Sequence, residues 1–385
     1  MKKVLTSEKI PIKLWCDDVE GNAMRQIKNI ANLPFAFHHV AIMPDAHSGY
    51  GMPIGGVLAT EGMIIPNAVG VDIGCGMCAV QTSLRDIRIE NLKKIMGAIR
   101  STIPVGFNRH KTPHKDAMPN CSIIPGGVVE REYTSATRQV GSLGGGNHFI
   151  EIQKGSNGYI WLMIHSGSRN IGKQVADFYN RLAKKLNLHE KSPVPPEFDL
   201  AYFPIESIKG DVYLAEMNYC LAFAQANRDL MMGFIKDIVG NTMHCEFDEA
   251  INIHHNYASL EEHFGCSVIL HRKGATAAEE GQFGIIPGSQ GTKSYIVKGK
   301  GNVESFASCS HGAGRVMGRK QAIRELDLEQ ETKRLEQKGV LHSIRSRRDL
   351  DEAPSAYKDI DVVMENQSDL VNIVVELMPL GVIKG

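Results

Sequence analysis

The sequence predicts an α+β fold formed as one domain over residues 1–385, and three observations lead there. Several stretches carry helical periodicity, short apolar runs lie between them, and glycine-rich turns bearing polar side chains recur from about residue 45 to about residue 315. In chain order, the 3.6-residue pattern predicts helices over 21–32, 87–100, 172–186, 212–238 and 316–337. The last interleaves Arg, Glu and Lys and reads as a solvated surface helix. Short apolar runs at 69–71, 159–164 and 267–270 read as buried strands, and 111–120 and 193–196 as loops too short to divide domains. Neither repeats nor low-complexity segments interrupt this order, and one site assembled from distant segments explains the scattered turns better than separable modules do.

Composition bounds the function loosely. Hydrophobic residues are 43% and charged residues 22%, as in ordinary globular proteins. Lys+Arg and Asp+Glu are both 43, so the formal net charge is zero, which neither supports nor excludes a nucleic-acid partner. The N-terminal residues are charged where a signal peptide would be apolar, and no apolar run approaches the ~20 residues of a membrane span. Eight scattered cysteines do not resemble a disulfide framework, so the expectation is a cytoplasmic protein, without a membrane role, whose thiols are free for metal.

The strongest local feature is the segment from Asn67 to Cys78, NAVGVDIGCGMC. Asp72 and Cys75 stand three apart in a glycine-flanked turn, a plausible carboxylate–thiolate pair for a borderline divalent ion. Asp72 could instead cap a helix, and Cys75 with Cys78 could be a redox pair, although no helical pattern follows them. Histidines give the second signal. His148, His165, the pair His254–His255 and His311 each stand at a strand end or a glycine turn. One such histidine is more often a hydrogen-bonded loop residue than a ligand, but four together favour metal. The third signal is anion handling. Pro287–Ser294 (PGSQGTKS) and His311–Arg315 (HGAGR) combine free backbone N–H groups with hydroxyls or an arginine fork, although neither has Walker A spacing. Asp45, in MPDAH, could orient a histidine ring or be a turn residue, and His271–Lys273 could meet phosphate or simply be solvated.

These segments, taken in order, resemble the RtcB family of RNA-splicing and repair ligases. The motifs are MPDAHSGYGMPIGG, GVDIGCGM, GSLGGGNHFIE, HSGSR, HHN, HRKGAT, PGSQGT, SHGAGR and a terminal KG, spread from about Asn22 to Lys384–Gly385. The resemblance implies mixed, mostly antiparallel sheets flanked by helices. It implies that Asp72 and His148 hold one metal, His165 and His255 the other, and that Cys75 bridges them. The metal in such ligases is usually Mn²⁺, two ions, although intrinsic affinity alone would favour zinc. His311 resembles the histidine that is guanylylated by GTP, and Asp45 the carboxylate that orients it. Asn147, Glu151, Asn256, Pro287, Gly288, Ser289, Gln290, Ser294, His311, Gly312, Ala313, Gly314 and Lys384 would line the GMP site, with Glu151 and Lys384 reading the guanine edge. The implied partners are RNA with a 2′,3′-cyclic phosphate or 3′-phosphate end, RNA with a 5′-hydroxyl end, and an activating accessory protein for a monomeric enzyme. Arg169 is a weaker candidate for holding the RNA backbone, and Cys78 has no family role. The segments 108–120 and 342–348 look particular to this clade. Two other readings stay open at this point: a two-metal phosphohydrolase of cyclic phosphates, and a non-catalytic RNA-end binder, which the intact ligand set disfavours.

Overall fold

The structure is a computed structural model that describes residues 1–385. It is α+β, with two large sheets and helices against them. The six-stranded sheet runs Lys3–Leu5, Ile12–Leu14, Ala36–His47, Ile54–Thr60, Cys266–Lys273, Asn256–His263, with only the Ile12–Leu14/Ala36–His47 pair parallel. The seven-stranded sheet is antiparallel throughout, in the order Ile251–His254, Gly76–Gln81, Ile160–Ser166, Phe149–Gly155, Val371–Lys384, Ser294–Gly299, Phe283–Ile286. Its central strands are near-continuous apolar runs because both faces are covered, so Ile160–Ser166 is buried along its length.

Register decides where the chemistry collects. Phe149 pairs with His165, His165 with Met77, and Gly76 with both Ser166 and His254. The strand ends carrying Cys75, His148, His165 and His255 therefore meet at one edge of this sheet. Gly76 is required there, since a Cβ would collide with the Ile253 carbonyl. On the other side, Val371–Lys384 runs against Phe149–Gly155 and delivers Lys384 opposite Phe149.

Four predicted helices are present with shifted ends: Gly21–Ala31, Ile89–Thr102, Arg169–His189 and Ile208–Met243. The fifth is broken. Arg319–Glu325 ends at Leu326, and Asp327 caps a second helix, Leu328–Gln337, by accepting from the Gln330 N–H at 2.8 Å. That second helix is not wholly solvated, because Glu331 and Leu335 are buried. The strand predicted at 69–71 is also corrected. Pro66–Val69 is one helical turn, begun by a proline whose φ suits the first position and ended by Gly70 at φ +97°. The other predicted strands lengthen to Ile160–Ser166 and Cys266–Lys273.

Candidate active site

Five side chains from four segments come into contact one after another. Asp72 and Cys75 come from the turn before Gly76–Gln81, His148 from the turn before Phe149–Gly155, His165 from the end of its strand, and His255 from between two strands. Asp72 Oδ2 lies 3.1 Å from His148 Nε2, which lies 3.5 Å from Cys75 Sγ. The sulfur is 3.2 Å from His165 Nε2, and that nitrogen is 3.4 Å from His255 Nε2. Cys75 is thus the middle of a continuous chain of donors.

The donor set fits a divalent cation. His165 Nδ1 donates to the Asn147 carbonyl at 3.1 Å, which leaves a lone pair on Nε2 facing sulfur and a second imidazole. Burial holds His165 and His255 well below the usual imidazole range, so neither relieves the crowding by taking a proton. Burial pushes the Cys75 thiol up, and the neighbouring Asp72 pushes it further. Burial also opposes ionisation of Asp72, yet the bond and charge of His148 hold it below the usual carboxylate range. A cation that takes the place of the Cys75 and His148 protons would satisfy all of these converging lone pairs at once.

What holds these segments is a pair of neighbours on the long helix Ile208–Met243, and sequence reading missed both. Asn227 and Arg228 are fully buried. Asn227 Oδ1 accepts from Gly141 and Ser142 at 2.8 and 3.1 Å, and its Nδ2 donates to Ser166 Oγ and the Gly167 carbonyl, both at 3.1 Å. Arg228 Nη1 donates to the Gly74 and Ser166 carbonyls at 2.9 Å, Nε donates to Asn252 at 2.7 Å, and Nη2 lies 3.1 Å from His254 Nδ1. Each contact falls on a segment that leads into a donor. The only sign in the sequence was a polar pair inside an apolar helix.

His311 adjoins the cage, its ring 4.8 Å from that of His255. It follows the strand Ser308–Ser310, and its Nδ1 lies 2.6 Å from Oδ2 of fully buried Asp45, which also accepts the His311 backbone N–H at 3.1 Å. The carboxylate fixes the Nδ1–H tautomer and leaves Nε2 as the free nitrogen. Gly314, at φ +75°, lets its turn pack on Asp45, where a Cβ would strike the Asp45 carbonyl. His47 was missed as a wall residue. Burial pushes its ring down to about 4, and Nδ1 lies 2.9 Å from the Asp45 carbonyl.

From His311 a cleft of about 170 Å³ runs to Lys384. Of the residues expected at a nucleotide, Asn147, Glu151, Pro287, Gly288, Ser289, Gln290, His311, Gly312, Ala313, Gly314 and Lys384 line it. Two stand behind the wall. Ser294 Oγ accepts from the Gly288 N–H at 3.2 Å, and Asn256 joins the Asp72 carbonyl to the Gly274 N–H at 3.1 and 2.8 Å. Burial raises the Glu151 carboxyl to about 8, with Lys384 and the Gln153 Nε2–H donated to Oε2 at 2.6 Å opposing, and both Glu151 and Lys384 line the cleft. Glu352 was also missed. It takes Arg315 Nη1 at 3.0 Å, Arg319 Nε at 2.9 Å and the Tyr357 hydroxyl.

Three basic readings are corrected. Arg315 is engaged by Glu352, the Met317 carbonyl at 2.9 Å and the Asp351 carbonyl at 2.5 Å, so it is no free phosphate fork. Arg169 donates to Ser142 Oγ at 3.0 Å and to the Gly106 carbonyl at 2.8 Å, so it serves the protein interior first. His271, Arg272 and Lys273 are buried, not solvated. Arg272 forks onto Glu261 at 2.5 and 3.0 Å. Burial lowers Lys273 to about 7, and its two donated bonds, to the Tyr50 and Asn67 carbonyls at 2.6 and 2.9 Å, match the two N–H groups of a neutral amine. Cys78 is buried in the core, away from the donor chain.

A donor cage opening beside a carboxylate-held imidazole has the make-up of an enzyme site. Comparison with known proteins agrees. The family described as "tRNA-splicing ligase RtcB" matches residues 26–124 and 120–385. The RNA-splicing ligase RtcB of Escherichia coli strain K12 is 41% identical over 412 residues, covering 100% of this chain and 99% of that relative. The tRNA-splicing ligase RtcB of Thermococcus kodakarensis is 31% identical over 460 residues, covering 98% and 95%. The RNA-splicing ligase RtcB of Mycobacterium tuberculosis is 31% identical over 434 residues, covering 94% and 100%. The chain belongs to the RtcB family, a family of ligase enzymes. No helix is long and apolar enough to cross a membrane.

Proposed function

We propose that this chain is a GTP-dependent RNA ligase that joins 2′,3′-cyclic phosphate or 3′-phosphate RNA ends to 5′-hydroxyl ends through a His311–GMP intermediate, acting as one catalytic domain over residues 1–385. The observation that carries the reading is the 2.6 Å contact between His311 Nδ1 and buried Asp45 at the mouth of a cleft adjoining the donor cage. Nε2 of His311 attacks the α-phosphorus of GTP, the N–P bond forms, and the Pα–O bond to pyrophosphate breaks. Asp45 stabilises the positive charge that grows on the ring, as carboxylates do behind catalytic imidazoles.

Water opens a cyclic end to a 3′-phosphate. An oxygen of that phosphate takes GMP from His311, and the 5′-hydroxyl then displaces GMP to leave a phosphodiester. Asp72, Cys75, His148, His165 and His255 would hold two Mn²⁺ ions, which supply charge stabilisation at phosphorus when bound. Backbone N–H groups of the Pro287–Gln290 and His311–Gly314 turns suit phosphate oxygens. Glu151 suits the guanine N–H edge and Lys384 suits O6.

The test is labelling with [α-³²P]GTP and Mn²⁺. Wild type should take up an acid-labile label and seal RNA, and His311→Ala should do neither. An unlabelled wild type, or a His311→Ala protein that still seals RNA, overturns the reading. Activity on cyclic phosphates that survives in His311→Ala would point to the phosphohydrolase instead.

A further inference from the structure

Phe107 is the most exposed large apolar side chain of the protein, at 108% against 80% for the next, Ile208. Its exposure does not come from a loose chain. Val105 forms a bridge with Gly144, the Gly106 N–H donates to the Gly144 carbonyl at 2.8 Å, and the Asn108 N–H closes back on the Val105 carbonyl at 3.2 Å. Beyond the ring, the His110 N–H donates to the Arg138 carbonyl at 2.9 Å, and His110 Nε2 lies 2.9 Å from the Gly141 carbonyl. Arg169 grips the Gly106 carbonyl from beneath at 2.8 Å. A pinned turn therefore lifts one aromatic ring into solvent.

The turn is placed at the site. Gly106 packs on Gly144 and Gly145, three and two residues before Asn147, and Gly144 lies against His148. The turn that carries the ring thus adjoins the donor cage on its His148 side. The ring's neighbours are Asn108 and the exposed Arg109 and Lys111, neither with a carboxylate within 4.0 Å, and the segment's one acid, Asp116, follows Lys115. A docking patch for a protein would be contiguous and apolar. A lone ring interleaved with unpaired cations matches single-stranded nucleic acid, where a base stacks and adjacent phosphates are neutralised.

We propose that the Phe107–Lys111 turn is a single-strand RNA contact, in which the Phe107 ring stacks on an unpaired base near the RNA end and Arg109 and Lys111 hold the flanking phosphates. This rests on the ligase reading and extends it to a residue outside the GTP cleft and the metal cage. It accounts for the part of segment 108–120 that the family motifs leave unexplained.

The probe is a short single-stranded RNA ending in a 2′,3′-cyclic phosphate, with 2-aminopurine at its penultimate position. Phe107→Ala should bind it about tenfold more weakly and lose the stacking quench of 2-aminopurine, while Phe107→Trp restores both. The double variant Arg109→Ala, Lys111→Ala should flatten the slope of log affinity against log salt by about 1.4, at ~0.7 for each phosphate contact on a single strand. GTP-dependent labelling without RNA should match wild type in every variant. A wild type that takes no label overturns the ligase reading itself. Variants that label normally, yet bind and quench the probe as wild type does, overturn this inference alone and hand the ring to another partner.

Discussion

Asp45→Asn isolates the element on which the chemistry turns, because the two side chains share a shape and differ in charge. Asp45 is fully buried, Oδ2 serves both the His311 backbone and Nδ1, and Oδ1 has no partner. In the variant, an amide oxygen at the Oδ2 position keeps both bonds but leaves an NH₂ buried without an acceptor, which costs about 1–3 kcal/mol. The reversed amide would present N–H groups to the His311 N–H and drive the ring to the Nε2–H tautomer, which removes the nucleophilic lone pair. Either outcome also removes the negative charge that offsets the growing positive charge on the ring. A charge-assisted bond exceeds a neutral one by roughly 1–1.5 kcal/mol, and the charge on the ring adds a similar amount at high effective dielectric. Together these give about 3 kcal/mol, or roughly 10²-fold, in the single-turnover rate of label uptake from GTP. Tautomer inversion in Ser–His–Asp enzymes, about 10⁴-fold, sets an upper bound. Quench-flow labelling of a variant shown by circular dichroism to be folded makes the measurement. A rate within threefold of wild type would refute the role given to Asp45.

Three further outcomes are expected. Cys75→Ala removes the middle donor, so metal analysis after dialysis against Mn²⁺ should find both ions lost rather than one. Retention of a full complement would count against the shared sulfur. Arg228→Met takes a buried donor from the Gly74 and Ser166 carbonyls and should lower unfolding stability by about 3–5 kcal/mol and metal affinity by 10- to 100-fold. Arg228→Lys should not rescue it, since an ammonium cannot span the fork, and urea melts with metal titration check both. For Glu151, burial raises the carboxyl to about 8 in the empty cleft, so the folded state binds more protons than the unfolded state from about pH 4.3 upward. Its contribution to stability is therefore present at low pH and is lost as pH rises through about 8. Glu151→Gln should remove that fall from the melting curves. GMP, which needs the ionised carboxylate, should bind about tenfold more weakly per pH unit below 8 in wild type only.

The parts of the site that could be read from sequence share one property: their chemistry stands in glycine turns at strand ends. Asp72, Cys75, His148, His165, His255 and His311 announced themselves that way, and the structure brings them together. Glu352 did not, because its segment has no glycine turn and its role exists only once Arg315 and Arg319 fold onto it. Asn227 and Arg228 sit in an apolar helix whose pattern reads as packing, and their partners lie between 24 and 154 residues away. The buried His271–Lys273 stretch could be read only as meeting phosphate or as solvated, because Glu261, the partner of Arg272, is supplied across a hairpin. For the fold, periodicity located the long helices but carried one of them through Leu326, where the cap chemistry of Asp327 outweighs it.

The Asn227–Arg228 pair has a consequence for how the protein tolerates change. Four ligand-bearing strands lean on adjacent residues of a single rod, so they shift together when the rod shifts and cannot be retuned one at a time. Substitutions on the far face of that rod, out of reach of any ligand, should therefore surface first as poor occupancy by cations and only later as loss of folded protein.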